Sequence, residues 1–446
     1  MTVALRRTLD SLTVPNYRRY FTGQVISITG NWMQTVAETW LVVKLTGSGV
    51  SVGLTAGLQF LPILLFGALG GVLVDRYDKR RLLMLTQTLM AIPALTLWVL
   101  TASGHVTIWI VYALVLTRGL INAVDNPARQ SFVMELVGPD KVVNAVSLNS
   151  VIIHTARIAG PMFAGGIIAV IGVSPCFLVN SLSFAAMLVA LRRMDPALLQ
   201  RAARAPRQAG QVRAAVREVR RRPDLRIPLL MMVAIGMFSF NFQVLLPLFA
   251  EFTWHGTATT YALLMAAMGV GSICGALKAG HRGQVTPRLI VASAAVFGTA
   301  QLAASAAPTE AVQMLLLAPL GAASVTFAAG VNSSLQLAAG PLRGRVMALY
   351  SVVFLGSTPI GAPFIGWIAE TAGPRVGLII GGGVALATAA AAGVAYRRLP
   401  RPPAERPPRH DRPGRDGPAG SPRRREGLRV RVPARARSAA PAGSAR

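Results

Sequence analysis

The sequence predicts an all-α integral membrane protein, with twelve transmembrane helices arranged as two six-helix bundles around a central cavity. Three observations carry this. The 446 residues are 53% hydrophobic and only 14% charged, with a mean hydropathy of +0.51, whereas soluble domains carry about 25% charged residues. Apolar stretches long enough for a bilayer core of about 30 Å recur along the chain. Lys and Arg are confined almost wholly to alternate connections.

Taken in order, spans are expected near 20–43, 51–74, 82–102, 106–124, 142–170, 174–192, 228–250, 260–279, 288–307, 311–332, 345–369 and 374–396. With the N-terminus cytoplasmic, 41 of the 45 Lys and Arg lie in cytoplasmic segments, including a loop at 125–141. The outer loops hold Lys44 and Arg375, and Arg118 and Arg157 are left inside spans. Basic residues stay on the cytoplasmic side during insertion, so both termini are expected there. The net charge of +28 then faces anionic inner-leaflet lipid, and no nucleic-acid partner is expected. The N-terminus lacks the compact apolar core of a cleaved signal peptide. Cys176 and Cys274 both fall in apolar segments and read as small hydrophobes.

The chain divides into a six-span bundle (1–192), a basic cytoplasmic linker (193–226), a second bundle (227–396) and a tail (397–446). The linker reads as partly helical and lying on the membrane surface. The tail, rich in Pro, Arg, Gly and Ala, has too few apolar residues for a core and is expected to be disordered. A weak parallel repeat links the bundles. "NPARQ" at 126–130 precedes "NAVSLNSV" and "GPMFAGG", while "NSSLQ" at 332–336 precedes "VMALYSVV" and "GAPFIGW". Parallel repeats of this kind place a substrate site near the midplane between them.

The first span carries a polar stripe. Gln24, Ser27, Asn31, Gln34 and Glu38 recur at spacings of three, four, three and four, which is one face of a helix. Lipid satisfies neither amides nor a carboxylate, so that face points into the protein. Glu38 is the one acid well inside a predicted span and is the first candidate for proton coupling; the other reading is a hydrogen-bonded lock between helices. Arg118, His154 and Arg157 add intramembrane polarity and join it as coupling candidates. Arg118 is expected about 10 Å from the inner end of its span, where it is paired, hydrated or snorkelling. Gln24, Asn31, Gln34, Asn180, Asn241 and Gln243 are candidates for the substrate cavity.

Three motifs carry a family resemblance. "GGVLVDRYDKRR" at 70–81 resembles the loop between spans two and three of the major facilitator superfamily, through Gly71, Asp75, Arg76, Lys79 and Arg80, with Asp78 standing where the family has a second glycine. The resemblance implies a cytoplasmic gate there. Leu114 and Arg118 are similar to the family's fourth-helix motif, with Ile121 and Asn122 where Gln-Gly is usual. "ARIAGPMFAGG" resembles the fifth-helix antiporter motif through Gly160, Pro161, Gly165 and Gly166, which implies tight packing against the other bundle and export. "NYRRYFTGQVISITGNW", "DNPARQSFVMELV" and "FNFQVLLPLFA" are similar to the bacterial drug:proton antiporter branch, which includes macrolide and siderophore exporters. The resemblance covers roughly 15–400.

The expected function is efflux of a small amphipathic organic molecule by a monomer. A proton gradient is the expected energy source, with no cofactor. Neither a metal-spaced His/Cys cluster nor a phosphate-binding Walker loop occurs, which argues against an enzyme and against ATP-driven transport. A non-transporting membrane sensor or scaffold, and uptake by the same fold, are the alternatives.

Overall fold

The computed structural model describes residues 10–200, 211–281 and 286–399. Among these residues every regular element is a helix. The chain through Leu399 forms one compact unit. Residues 400–446, nearly all of the expected tail, and 201–210 of the expected linker lie outside the described residues.

Helix α1 (Pro15–Thr46) starts on a proline at its first turn and stops at Gly47, whose φ of 59° returns its N–H to the Val43 carbonyl. Only the missing Cβ makes that left-handed stop inexpensive. Helix α2 (Gly49–Arg76) is capped by Ser48, which accepts from the Ser51 N–H. Helix α3 (Lys79–Ala102) is capped by Asp78, which accepts from the Arg81 N–H at 2.9 Å. Tyr77 and Asp78 both have negative φ, so the turn needs no glycine there. The departure from the family pattern at 78 is thus an exchange of a flexible residue for a helix cap.

The largest departure from expectation follows. Helix α4 (Ile108–Ile171) runs 64 residues, broken only at Gly138 (φ 73°, ψ 177°), with Pro139 behind it. The loop expected at 125–141 is helical, and the connection between the fourth and fifth crossings is this single kink. Proline after glycine denies the ladder an N–H and lets the chain reverse there. At about 1.5 Å per residue, 64 residues would reach about 96 Å, so its two arms are separate crossings. Helix α5 (Ser174–Arg192) completes the first set.

A short surface helix, α6 (Gln211–Arg221), precedes α7 (Pro223–Phe238) and α8 (Phe242–Leu248); α6 buries Val219 against the other helices. The expected span 228–250 is therefore discontinuous at 239–241. The break is tied to neighbouring helices: Gln301 donates to the freed Ser239 carbonyl, and the Ser239 hydroxyl donates to the Gly381 carbonyl. Helices α9 (Ala258–His281), α10 (Pro287–Ser305), α11 (Glu310–Ala338), α12 (Arg343–Gly356), α13 (Thr358–Ala372) and α14 (Pro374–Arg398) follow. Cys176 is buried, whereas Cys274 is exposed on α9.

Ten helical segments among the described residues are long and apolar enough to cross a membrane, taking α7–α8 and α12–α13 as single segments. The expected twelve are reached only by counting the two arms of α4 separately and adding α1, which is 32 residues long. The polar stripe and charged residues of α1 keep it out of the apolar ten.

One end of the molecule carries the basic connections; the opposite end carries the 47–48, 172–173, 254–257 and 373 connections. Contacts between the first and last helices gather at that opposite end. Lys44 pairs with Glu251 at 2.7 Å. Glu370 accepts from the Ser48 hydroxyl at 2.6 Å and the Val50 N–H at 2.9 Å, joining α13 to the start of α2. Gly49 and Gly53 lie directly against the backbone of Gly366 and Ala362, a small-residue contact that lets the two helices touch. On the second arm of α4, Gly165 meets Ala262 of α9, and its carbonyl accepts from Thr259.

Candidate functional site

The polar stripe of α1 meets the first arm of α4. Both Arg118 guanidinium nitrogens donate to Glu38, Nη1 to Oε2 at 2.8 Å and Nη2 to Oε1 at 3.0 Å. The residues are 4% and 3% exposed. Because α4 continues to Gly138, Arg118 is about 30 Å of helix from the kink, not near an inner helix end. Of the paired, hydrated and snorkelling alternatives the structure shows the first: the guanidinium is buried and held by Glu38. Gln34 donates to Glu38 Oε2 at 3.3 Å. Asn180 of α5 donates to Gln34 Oε1, and the Ser183 hydroxyl donates to the Asn180 carbonyl groups. This chain ties α1, α4 and α5 together, and bidentate geometry makes the ion pair its strongest link.

Two cavities lie beside the pair. One, about 230 Å³, is walled by Gln24, Asn31, Asn122, Arg129 and Asn149 among others. The other, about 210 Å³, takes in Thr35, Gln59, Arg118 and Gln243. Both share Asn31, Trp32, Asn122 and Asn126, so they adjoin. Of the sequence candidates, Gln24, Asn31 and Gln243 stand in these walls. Gln34, Asn180 and Asn241 do not. Gln34 and Asn180 are consumed by the chain from Glu38, and Asn241 donates to the Met237 carbonyl across the break in the seventh span.

Sequence reasoning missed a second buried acid. Asp125, expected in a loop, is 2% exposed. Its Oδ1 accepts from Thr86 at 2.6 Å and Gln87 at 2.8 Å, and its Oδ2 accepts from Arg129 Nε at 2.5 Å. Arg129 Nη1 reaches Gln24 at 3.3 Å, and Gln24 donates to Asn149 at 2.6 Å. The signal was present in the spacing: 118, 122, 126 and 129 continue one helical face, and Asp125–Arg129 is an i,i+4 pair. Assigning a loop at 125 hid it.

The gate and antiporter motifs are only partly as expected. Asp75 and Arg76 are exposed. Lys79 pairs with Glu135 of α4, and Arg80 donates to the carbonyls of Leu191 and Arg192 at the end of α5. Gly70, next to Gly71, meets the neighbouring backbone at Ala123. Gly160 packs on Trp32 of α1, inside the first set of helices, and a Cβ there would lie 2.5 Å from the Trp32 Cβ. Pro161 is buried beside it. Gly165 makes the contact with the other set, while Gly166 faces open space. His154 lies one turn before Ile158, which meets Gly269 of α9, and is not in either cavity wall. The Arg157 guanidinium lies 5.0 Å from the Trp32 ring centroid.

A family described as transmembrane secretion effector matches residues 7–413. The chain belongs to the major facilitator superfamily. Its relatives there include the staphyloferrin A transporter of Staphylococcus aureus, 27% identical over 58% of this chain and 65% of that protein's length. Macrolide efflux protein A of Streptococcus pyogenes is 22% identical over 81% of this chain and 91% of its own. The multidrug efflux pump Tap of Mycolicibacterium fortuitum is 25% identical over 77% and 87%. The fold is shared with a bacterial homologue of the lysosomal transporter Spinster, with TM-score 0.70 at 14% identity over 86% and 97% of the two chains. A bacterial homologue of ferroportin shares it too, with TM-score 0.64 at 14% identity over 86% and 98%. The family and these relatives are transporters, not enzymes. This is a multi-pass protein of the bacterial plasma membrane.

Proposed function

We propose that this superfamily member is a proton-coupled exporter of a small organic molecule, a drug, antibiotic or siderophore, working by alternating access of two six-helix bundles. It acts as a monomer, with both termini cytoplasmic and the proton gradient as its energy source. The observation that carries the reading is the buried Glu38–Arg118 pair on the wall of a polar cavity, while the end remote from the basic connections is held shut by Lys44–Glu251 and by Glu370 on α2. With the basic end cytoplasmic, that arrangement is inward-open. The relatives' printed roles in macrolide, multidrug and staphyloferrin A transport support this cargo range.

In this reading, protonation of Glu38 removes the charge that holds both arms of Arg118 and loosens α1 from α4, two of the helices that wall the cavity. Deprotonation restores the clasp, so proton occupancy biases the exchange between the two access states. The test uses proteoliposomes of the full chain with an imposed pH gradient and a panel of a macrolide, tetraphenylphosphonium and citrate. At least one compound should drive proton movement in the wild type, and Glu38→Gln should uncouple it. Coupling unchanged in Glu38→Gln would refute the assignment.

A further inference from the structure

The cavity region is unusual in its charge balance. Arg118 and Arg129 stand in the cavity walls, and Arg157 lies behind Trp32, which both walls share. Arg118 is neutralised by Glu38 and Arg129 by Asp125. Arg157 is not: among the described residues no carboxylate lies within salt-bridge distance of it, and its guanidinium makes no hydrogen bond with them. Among the described residues its guanidinium lies on the face of Trp32, an aromatic that belongs to both cavity walls.

Arg157 is not itself a lining residue of either cavity, but it stands beside one, through Trp32 and through its register on α4. Asn149 and Ile153 line it, and 157 is the next position on that face of the helix at i+4. It lies about 27 Å of helix from Pro139 and about 21 Å from Ile171, near the middle of its arm. An intramembrane cation is costly unless paired or used. Its partial exposure leaves it open to a ligand.

The surrounding donors favour oxygen-rich chemistry. The side-chain amides of Asn31, Asn122, Asn126, Gln130 and Gln243 stand in the cavity walls and make no hydrogen bond to the described residues. Free amides offer donors and acceptors together, suited to carboxylate, hydroxyl and carbonyl groups. A lipophilic cation would find both nearby carboxylates already engaged by arginine.

We propose that the cargo is an oxygen-rich carboxylate anion, and that Arg157 supplies its counter-charge above Trp32. This rests on the exporter reading and names its substrate class. Binding to the full chain in lipid nanodiscs is measured by calorimetry, with citrate as the hydroxycarboxylate probe and tetraphenylphosphonium as the cationic one. Citrate should bind the wild type. Arg157→Gln should weaken it by about tenfold or more, the loss expected for a charge-assisted contact, and Arg157→Lys should retain most of the affinity. A citrate affinity unchanged by Arg157→Gln, or tetraphenylphosphonium binding without citrate binding, overturns the proposal. If tetraphenylphosphonium drives Glu38-dependent proton movement, the exporter reading stands and the anion assignment falls. If citrate binds through Arg157 but no compound moves protons, the reverse holds.

Discussion

Glu38→Gln removes a carboxylate that two guanidinium nitrogens clasp, at almost constant side-chain volume. Charges about 4 Å apart at an effective dielectric of about 20 attract by about 4 kcal/mol. Desolvation offsets part of that attraction in the intact pair. In the variant, however, Arg118 stays buried with its charge uncompensated, which costs roughly 3–5 kcal/mol. The glutamine oxygen can still accept one N–H, and Gln34 is near, so the lower end, about 3 kcal/mol, is expected. Arg118→Gln should cost a similar amount by stranding the carboxylate. The double variant should cost less than the sum of the singles by about 2 kcal/mol or more, because neither charge is then left alone. The assay is reversible unfolding in mixed micelles by titration with a denaturing detergent, on all four forms. Single costs under about 1 kcal/mol that add in the double variant would refute the claim that this pair is a buried, coupled unit.

Other outcomes follow from single contacts. Asp78→Ala removes the cap of α3 and should cost about 1 kcal/mol in the same unfolding assay, whereas Asp78→Asn should cost little. Gly160→Val drives a branched side chain into Trp32; it should lower thermal stability measured by tryptophan fluorescence, with Gly166→Ala, in open space, as the silent control. Gln301→Leu leaves the Ser239 carbonyl without its side-chain donor at the break in the seventh span, an expected loss of about 1–3 kcal/mol. Glu370→Gln weakens the closure of α13 on α2; the distance between spin labels on exposed Leu45 and Phe252 should broaden toward longer values by double electron–electron resonance, and an unchanged distribution would show that the glycine contacts alone hold that end shut.

What was legible early was whatever local periodicity encodes. The stripe from Gln24 to Glu38 announced an inward face because a helix repeats every 3.6 residues and lipid offers no hydrogen bonds. The membrane class followed from composition. The stretch from Asp125 to Lys141 was not legible by the same means. Its charges and the Gly138–Pro139 pair read as a loop, yet Asp125, Arg129 and Glu135 are each paired within the fold and stay helical. Charge marks a loop only when nothing nearby neutralises it. Asn180 and Asn241 show the same limit: intramembrane amides attract notice, but only their partners tell wall from glue.

The sequence by itself determined the class, the approximate crossings, the basic end and the face of α1. The tertiary structure alone decided that Glu38 meets Arg118 eighty positions later, that Arg157 meets no carboxylate among the described residues, and where Glu370 and Glu251 join the second set of helices to the first. Register along one helix is a property of a few neighbouring residues. Partnership between helices depends on how closely their backbones approach, and glycines such as Gly49 and Gly53 set that approach.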